Sequence, residues 1–224
     1  MGVRVLIDTL GSPSEELADL YRPPRLPWLR VNMVSTVDGA ANGESGRSGS
    51  INNEIDSAVF GALRAQCDAV VVGAGTARTE EYGTADVPVV LVSRSGQVPE
   101  KLRGAQPGTV LLATCASSPG LAAARALLGE PHVIVAGESE VDLVAVKAAL
   151  VGRGLTNLLS EGGPSLLRAL LAAGAVDELA LTWVPRAIGG VHPRILAGDS
   201  VGIDLDLALL IEQDGTLLGR WLVR

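Results

Sequence analysis

Leu158-Leu159-Ser160-Glu161-Gly162-Gly163-Pro164-Ser165-Leu166-Leu167 joins an apolar run to a glycine pair and a proline. It predicts a buried strand, a two-glycine turn and a helix that starts at a proline. Pro164 suits the first helical position, because its missing N–H would be unpaired there in any case. Gly162 and Gly163 have no Cβ, so a ligand can lie against the backbone. The helix turns its free N–H groups and positive dipole end towards whatever sits over the turn, which favours phosphate. Glu161 is the odd member. An anion would repel its carboxylate, so it is expected to face a second ligand. Read alone, the segment fits an ordinary strand–turn–helix corner equally well.

Outward from this segment, short apolar β-branched runs alternate with Ala/Leu-rich helical runs. Strands are expected at Leu29–Val34, Ala69–Val72, Val89–Ser93, Thr109–Ala113, His132–Ala136, Asn157–Ser160 and Glu178–Val184. Helices are expected at Ser14–Leu20, Glu54–Gln66, Leu121–Leu128, Val141–Val151 and Ser165–Ala172, with Ser12 and Ser50 as caps and Gly129, Gly152 and Gly174 as stops. Continuously apolar strands indicate burial on both faces, hence an α/β fold of three layers, αβα, around a mostly parallel sheet. Leu205–Ile211 and Thr216–Val223 flank Asp214-Gly215, a strong hairpin signal, so the sheet is mixed and ends in a C-terminal antiparallel hairpin. Leu217, Leu218, Trp221 and Leu222 cannot all be buried within one face, and such an edge is expected to be paired in a homodimer. Tyr21-Arg22-Pro23-Pro24-Arg25-Leu26-Pro27 reads as a connector. The expectation is one domain over residues 1–224, with 1–28 as an extension and connector.

Composition narrows the function. Hydrophobic residues are 47% and charged ones 19%, enough for a sizeable core, while aromatics at 3% argue against base stacking on aromatic platforms. A net charge of −7 argues against a nucleic-acid or anionic-membrane partner. An anionic substrate therefore needs a local basic pocket. Cys67, Cys115, His132 and His192 show no metal-ligand spacing, so no metal is expected. The first eight residues hold no apolar run long enough for a signal segment or a membrane span. Two thiols without such a segment suggest a reducing, cytoplasmic setting.

Three further segments can carry chemistry. Ser35-Thr36-Val37-Asp38-Gly39 follows an apolar strand and puts short polar groups, Thr36 and Asp38 among them, where ligands bind in open α/β sheets; a plain Asp-Gly turn reads as well. Val72-Gly73-Ala74-Gly75-Thr76 lacks the third glycine of a dinucleotide fingerprint, since Arg78 stands there. Its loop can still wrap a pyrophosphate through backbone N–H groups and the Thr76 hydroxyl. Ser93-Arg94-Ser95 at a strand end suits a phosphate monoester, although a solvated arginine in a turn is the simpler reading. There is no G-x-S-x-G elbow and no local Cys–His pair.

Taken in order, these segments resemble the RibD C-terminal family, the reductase domain of riboflavin biosynthesis, whose fold is like that of dihydrofolate reductase. The likeness rests on Ser35–Gly39, Leu63-Arg64-Ala65 with Asp68-Ala69, Gly73–Thr76, Ser160–Pro164, Val176-Asp177-Glu178-Leu179, Pro185 and Gly189-Gly190, and spans about residues 29 to 224. The resemblance implies reduction of a ribosylaminopyrimidine phosphate to its ribityl form with NADPH. Carried over by position, Val34, Thr76, Glu80, Ser93 and the turn Gly162, Gly163, Pro164, Ser165, Leu166 hold the cofactor. Asn32, Ser48, Arg64 and Glu161 face the substrate. Asp38 lies where the two ligands meet, and Asp38 and Glu161 are the expected catalytic carboxylates, stabilising a protonated imine or relaying a proton.

The chain also departs from the family pattern. Asn32 replaces a usual lysine, Ser50 a frequent Trp, and Thr79-Glu80-Glu81-Tyr82-Gly83-Thr84 stands where Asp-Asp-Pro and then a substrate arginine are usual, with no arginine until Arg94. These changes fall on the substrate side. The H-x-E and P-C-x-x-C signatures of the zinc deaminase that often precedes this domain are missing, so deamination is expected of another protein. The variant resembles stand-alone actinobacterial members. Two alternatives stay open: a dihydrofolate- or pterin-type reductase, which needs no substrate phosphate site, and an NADPH-binding module without turnover.

Overall fold

Fully apolar runs such as Val70-Val71-Val72 and Val89-Val90-Leu91-Val92 make strands whose two faces both need cover, and helices supply it. The computed structural model describes residues 3–224. In chain order its elements are β1 (Arg4–Asp8), α1 (Leu17–Leu20), β2 (Trp28–Thr36), α2 (Glu54–Gln66), β3 (Ala69–Gly73), α3 (Ala74–Thr79), β4 (Val89–Val92) and β5 (Val110–Thr114). There follow α4 (Leu121–Leu128), β6 (Val133–Val135), α5 (Leu143–Val151), β7 (Asn157–Ser160), α6 (Pro164–Ala172), β8 (Glu178–Val184), β9 (Leu205–Gln213) and β10 (Thr216–Val223).

The strands form one ten-stranded sheet in the order β1-β9-β10-β8-β2-β7-β3-β4-β5-β6. From β8 to β6 every pairing is parallel. The β9–β10 hairpin and β1 add antiparallel strands beside β8. Side chains alternate across the sheet. Val70 and Val72 of β3 pack with α2 and α3 on one face, and Ala69 and Val71 pack with α5 and α6 on the other. The expected three layers and mixed, mostly parallel sheet are present.

Three expectations are corrected here. Residues 4–8, assigned to an extension, form β1, which pairs with β9. The hairpin is therefore not the sheet edge: β10 lies between β9 and β8, where Leu218 is buried and Leu217 points out. The edge argument for a dimer falls with it. The true edge strands are β1, broken by a register shift between Val5 and Ile7, and the three-residue β6, both poor templates for further pairing. Gly73–Thr76 is likewise not a loop. Gly73 is the last residue of β3 and caps α3 directly.

Where β2, β8 and β10 run side by side, a buried cluster of charges locks them together. Glu178 accepts from Arg30 Nε (2.6 Å) and Nη2 (3.0 Å), from Arg220 Nε and Nη2 (2.9 Å each) and from Trp28 Nε1 (3.1 Å). Both guanidiniums also sit 5.6 Å from the Tyr21 ring centroid. Burial alone would raise the Glu178 carboxyl; the two guanidiniums outweigh it and hold it below its ordinary value. Cys67 and Cys115 are free and buried, and burial pushes the Cys67 thiol up to about 11. Among the described residues no helix is long and apolar enough to cross a membrane.

Candidate active site

β3 and β7 are neighbours, but the chain leaves them in opposite directions: β3 leads through α3 to β4, and β7 leads through α6 to β8. Such a reversal opens a crevice beyond the carboxyl ends of the strands. A cavity of about 770 Å³ lies there, in the upper part of the range for small-molecule sites. Its floor is the end of β2 (Asn32, Met33, Val34) and Gly73 of β3, and its walls come from α2, α3, α6 and the segments around 41–52 and 79–84.

On one wall the start of α6 is open. Gly163 is its N-cap and supplies no side-chain cap, and Pro164 is the first helical residue. The N–H groups of Ser165 and Leu166 precede the first bond to the helix's own cap, Leu167 N to Gly163 O at 2.9 Å, and both residues line the cavity. Gly73 N donates to Gly162 O (2.8 Å), which ties the ends of β3 and β7 together. The Gly162–Gly163 peptide is cis, and Gly162 has φ +74°. A Cβ on Gly163 would stand 2.4 Å from Thr76 Oγ1, and one on Gly162 would stand 2.9 Å from Met33 Sδ. The glycines are thus required by packing of the turn against α3 and β2, not only by ligand approach as the sequence suggested.

The opposite wall carries the charge. Arg64 Nε donates to Glu161 Oε1 (2.7 Å), Arg64 Nη2 donates to Oε2 (2.8 Å), and the Tyr82 hydroxyl also donates to Oε2. The guanidinium lies 4.4 Å from the Phe60 ring centroid, stacked on the aromatic face. The Glu161 side chain is 3% exposed and that of Arg64 36%, so the acid is fixed while the base still reaches the cavity. Burial, then the Glu161 charge, push the Tyr82 hydroxyl above its ordinary range. Asp56, one helical turn before Phe60, lines the same wall and is 5% exposed, and its Oδ1 is shut from solvent with no partner. Burial raises its carboxyl, opposed only by the Thr182 hydroxyl.

Of the residues expected from the sequence, Asn32, Val34, Ser48, Arg64, Gly73, Gly75, Thr76, Glu80, Glu161, Gly163, Pro164, Ser165 and Leu166 line this cavity. Glu80 is engaged there by Ser48, whose N–H donates to Oε1 at 2.8 Å. Asp38 is not among the lining residues. Its carboxylate accepts from Thr36 Oγ1 (2.5 Å), Gly189 N (2.7 Å) and Ile188 N (3.0 Å). The Thr36 bond above all, then that of Gly189, lowers it to about 2. Asp38 and Thr36 therefore clamp the 186–189 loop onto the end of β2. Ser93 and Arg94 lie at the end of β4, outside the cavity lining. Ser93 is buried with its Oγ 3.3 Å from Ser95 Oγ, and the exposed Arg94 pairs with Glu140 (2.7 Å). Gly162 also stays behind the lining.

Sequence reasoning missed Asp56, Phe60 and Tyr82. Asp56, Phe60 and Arg64 recur at a spacing of four along α2, beside the buried stripe Ile55, Val59, Leu63. A carboxylate bordering an apolar stripe and in line with an arginine was a readable signal. Tyr82 gives no such signal, because its partner is 79 positions away.

The family model of the RibD C-terminal domain matches residues 27–212. A protein of Methanothermobacter thermautotrophicus named 2,5-diamino-6-ribosylamino-4(3H)-pyrimidinone 5′-phosphate reductase is 31% identical over 190 residues, covering 80% of this chain and 86% of that protein. Its namesake in Archaeoglobus fulgidus is 29% identical over 199 residues, covering 78% and 88%. Among solved structures, a pyrimidine reductase-like protein from Corynebacterium diphtheriae superposes with a TM-score of 0.77 at 29% identity, covering 88% of this chain and 92% of that one.

Proposed function

The chain belongs to the RibD C-terminal domain family, and from that premise we propose that it is an NADPH-dependent reductase converting the ribosyl group of a ribosylaminopyrimidine 5′-phosphate to ribityl. The observation that carries this reading is one cavity with two unlike walls: an uncapped helix start on one side and the Arg64–Glu161–Tyr82 cluster on the other. The first wall suits a dinucleotide. Free N–H groups of Ser165 and Leu166 and the positive end of α6 attract a pyrophosphate. Gly75 offers backbone at the same opening, where an added Cβ would meet only Arg78 Nη2 at 4.0 Å. Ser93 and Arg94, at the end of the next strand, would take the 2′-phosphate once Arg94 leaves Glu140.

When bound, NADPH supplies a hydride. Reduction of the open-chain imine form of the substrate adds that hydride to carbon and a proton to nitrogen. The chain's own residues orient the substrate. Glu161 holds the Arg64 guanidinium in one plane against Phe60, so the remaining N–H groups of Arg64 meet the sugar or its phosphate in fixed geometry. Tyr82 fixes the second oxygen of Glu161. The Arg64 and Glu161 side chains therefore work as one positioning unit, and Asp38 acts at a distance by holding the 186–189 loop. A homodimer is proposed on the family resemblance alone, and a clean monomer mass by light scattering at micromolar concentration would refute it.

The test of function is incubation with NADPH and each of the two pyrimidines, 2,5-diamino-6-ribosylamino-4(3H)-pyrimidinone 5′-phosphate and 5-amino-6-(5-phosphoribosylamino)uracil, with mass spectrometry for a product two hydrogens heavier. A pterin substrate is the second reading, favoured by one observation. Among the described lining residues Arg64 is the only cation, and it is already paired with Glu161. Oxidation of NADPH by dihydrofolate with neither pyrimidine reacting would favour it.

A further inference from the structure

Three charged side chains from distant parts of the chain meet at the mouth of the cavity. Glu81, which lines it, pairs with Arg47 Nη2 at 3.0 Å through Oε1 and with Lys101 Nζ at 3.2 Å through Oε2. Arg47 precedes Ser48 on one rim, Glu81 follows α3 on the other, and Lys101 comes from a 3-10 turn after β4 (Glu100–Leu102). The three side chains stay 45%, 49% and 60% exposed, and exposed pairs add little to stability, so the fold does not account for the cluster. Glu81 also takes φ +56°, just past the C-cap of α3, where glycine is the favoured residue. A glutamate held there against backbone preference points to a use for its side chain. Neighbouring bonds tie the cluster to the Arg64 wall. The Ser48 N–H on Glu80 Oε1 holds the segment that carries Arg47. Tyr82, the residue after Glu81, donates to Glu161, and its ring centroid is 6.0 Å from the Arg64 guanidinium.

We propose that Arg47 and Lys101, gathered by Glu81, seat the phosphate monoester of the substrate at the mouth of the cavity. The inference rests on the reading of this cavity as the substrate site. Arg64 spends Nε and Nη2 on Glu161, so it supplies little net charge for a dianion. The segment after Tyr82 carries no arginine until Arg94. Arg47 and Lys101 make good that lack from outside the lining. Each meets Glu81 through one nitrogen, which leaves the other guanidinium N–H groups and two ammonium protons to donate. A guanidinium fork takes two phosphate oxygens and an ammonium takes a third. The Glu81 charge opposes the dianion, but two cations outnumber it. Glu81 is then a positioning residue, holding two cations within reach of one anion as Glu161 holds Arg64.

The experiment measures kcat/KM with NADPH for the diamino-pyrimidinone phosphate and for the same compound without its phosphate, in the parent, Arg47→Ala, Lys101→Ala and the double variant. Dihydrofolate and dihydropteroate, which lacks the glutamate, form a second pair, because carboxylates can use the same cations. The parent should prefer the phosphorylated pyrimidine by a factor on the order of 10² or more, the scale of two charge-assisted contacts. Each single variant should cut that preference roughly tenfold, through KM rather than kcat, as for binding shared by ground state and transition state. Arg47→Lys should keep part of the preference, and added salt should erode it more in the parent than in the double variant. A parent indifferent to the phosphate, or variants that lower both pyrimidines by the same factor, would overturn the proposal. So would variants that change only the ratio of dihydrofolate to dihydropteroate. If no compound is reduced, the reductase reading fails, and calorimetric binding of the two pyrimidines to the NADPH-loaded protein still decides the role of the cluster. Tighter binding of the phosphorylated compound that the double variant abolishes supports the role, and equal or absent binding of the two refutes it.

Discussion

Replacing Glu161 with glutamine removes one charge and changes almost no volume, so its effect isolates what the Arg64–Glu161–Tyr82 cluster does. Both carboxylate oxygens are in use: Oε1 with Arg64 Nε, and Oε2 with Arg64 Nη2 and the Tyr82 hydroxyl. An amide keeps one acceptor and turns its NH₂ towards a donor on the other side. The Tyr82 hydroxyl can rotate to accept, but Arg64 cannot, so one charge-assisted bond is lost. Such a bond contributes about 1.5–3 kcal/mol, and with the Arg64 side chain a third exposed the lower half of that range applies. About 2 kcal/mol corresponds to roughly a 30-fold fall in kcat/KM, from misplacement of Arg64. NADPH affinity should stay within about threefold, since the cofactor wall is separate. Arg64→Lys should cost a similar factor, because an ammonium cannot make the bidentate pair. The double variant should be no worse than either single one, as expected of residues acting as a unit. Steady-state turnover beside cofactor titration by fluorescence measures all of this. An equal loss of NADPH affinity, or additive losses in the double variant, would refute the reasoning.

Gly163→Ala should destabilise the fold by about 1–3 kcal/mol through overpacking against Thr76 Oγ1. Adding Thr76→Ala should restore most of that in a urea melt, because the next atom of Thr76 is 3.6 Å from the new Cβ. Glu178→Gln should cost about 3–5 kcal/mol by leaving two buried guanidiniums short of a counter-charge, seen as a thermal midpoint lower by roughly 10 °C. Asp38→Asn should leave NADPH affinity unchanged but lower the urea midpoint at neutral pH. Its folded carboxyl is depressed from 3.8 to about 2, so the parent's advantage is fully present above pH 3.8 and lost as pH falls through 2. A difference between parent and Asp38→Asn that persists unchanged below pH 2 would remove the clamp from the account.

What was legible in the sequence was local. The β7–turn–α6 corner could be read from an apolar run, two glycines and a proline at the first helical position. The hairpin could be read from Asp214-Gly215, which do take positive φ, 50° and 79°. The edge strand β1 could not, because only Val5 packs on the core and the register shift between Val5 and Ile7 breaks the alternation. α3 escaped because six residues rich in Gly, Thr and Arg look like a loop, and only the burial of Ala74 and Ala77 against the sheet makes them helical. The site was readable where a residue's position fixes its role, as for the α6 opening and Arg64. It was not where the role depends on direction. Asp38 stands at a strand end as expected, but the N–H groups that claim its carboxylate come from Ile188 and Gly189, some 150 positions on. The pairing of Glu161 with Tyr82 and the missing partner of Asp56 are likewise properties of the assembled cavity.

The measurement that tests the central claim most directly is a single-turnover reaction of the purified protein with NADPH and 2,5-diamino-6-ribosylamino-4(3H)-pyrimidinone 5′-phosphate, followed by loss of reduced-nicotinamide absorbance and by product mass. One equivalent of NADPH should be consumed per ribityl product formed, with the rate falling in Glu161→Gln and cofactor affinity held. Tight NADPH binding with no loss of absorbance on adding any of the three candidate substrates would contradict it and leave a cofactor-binding module.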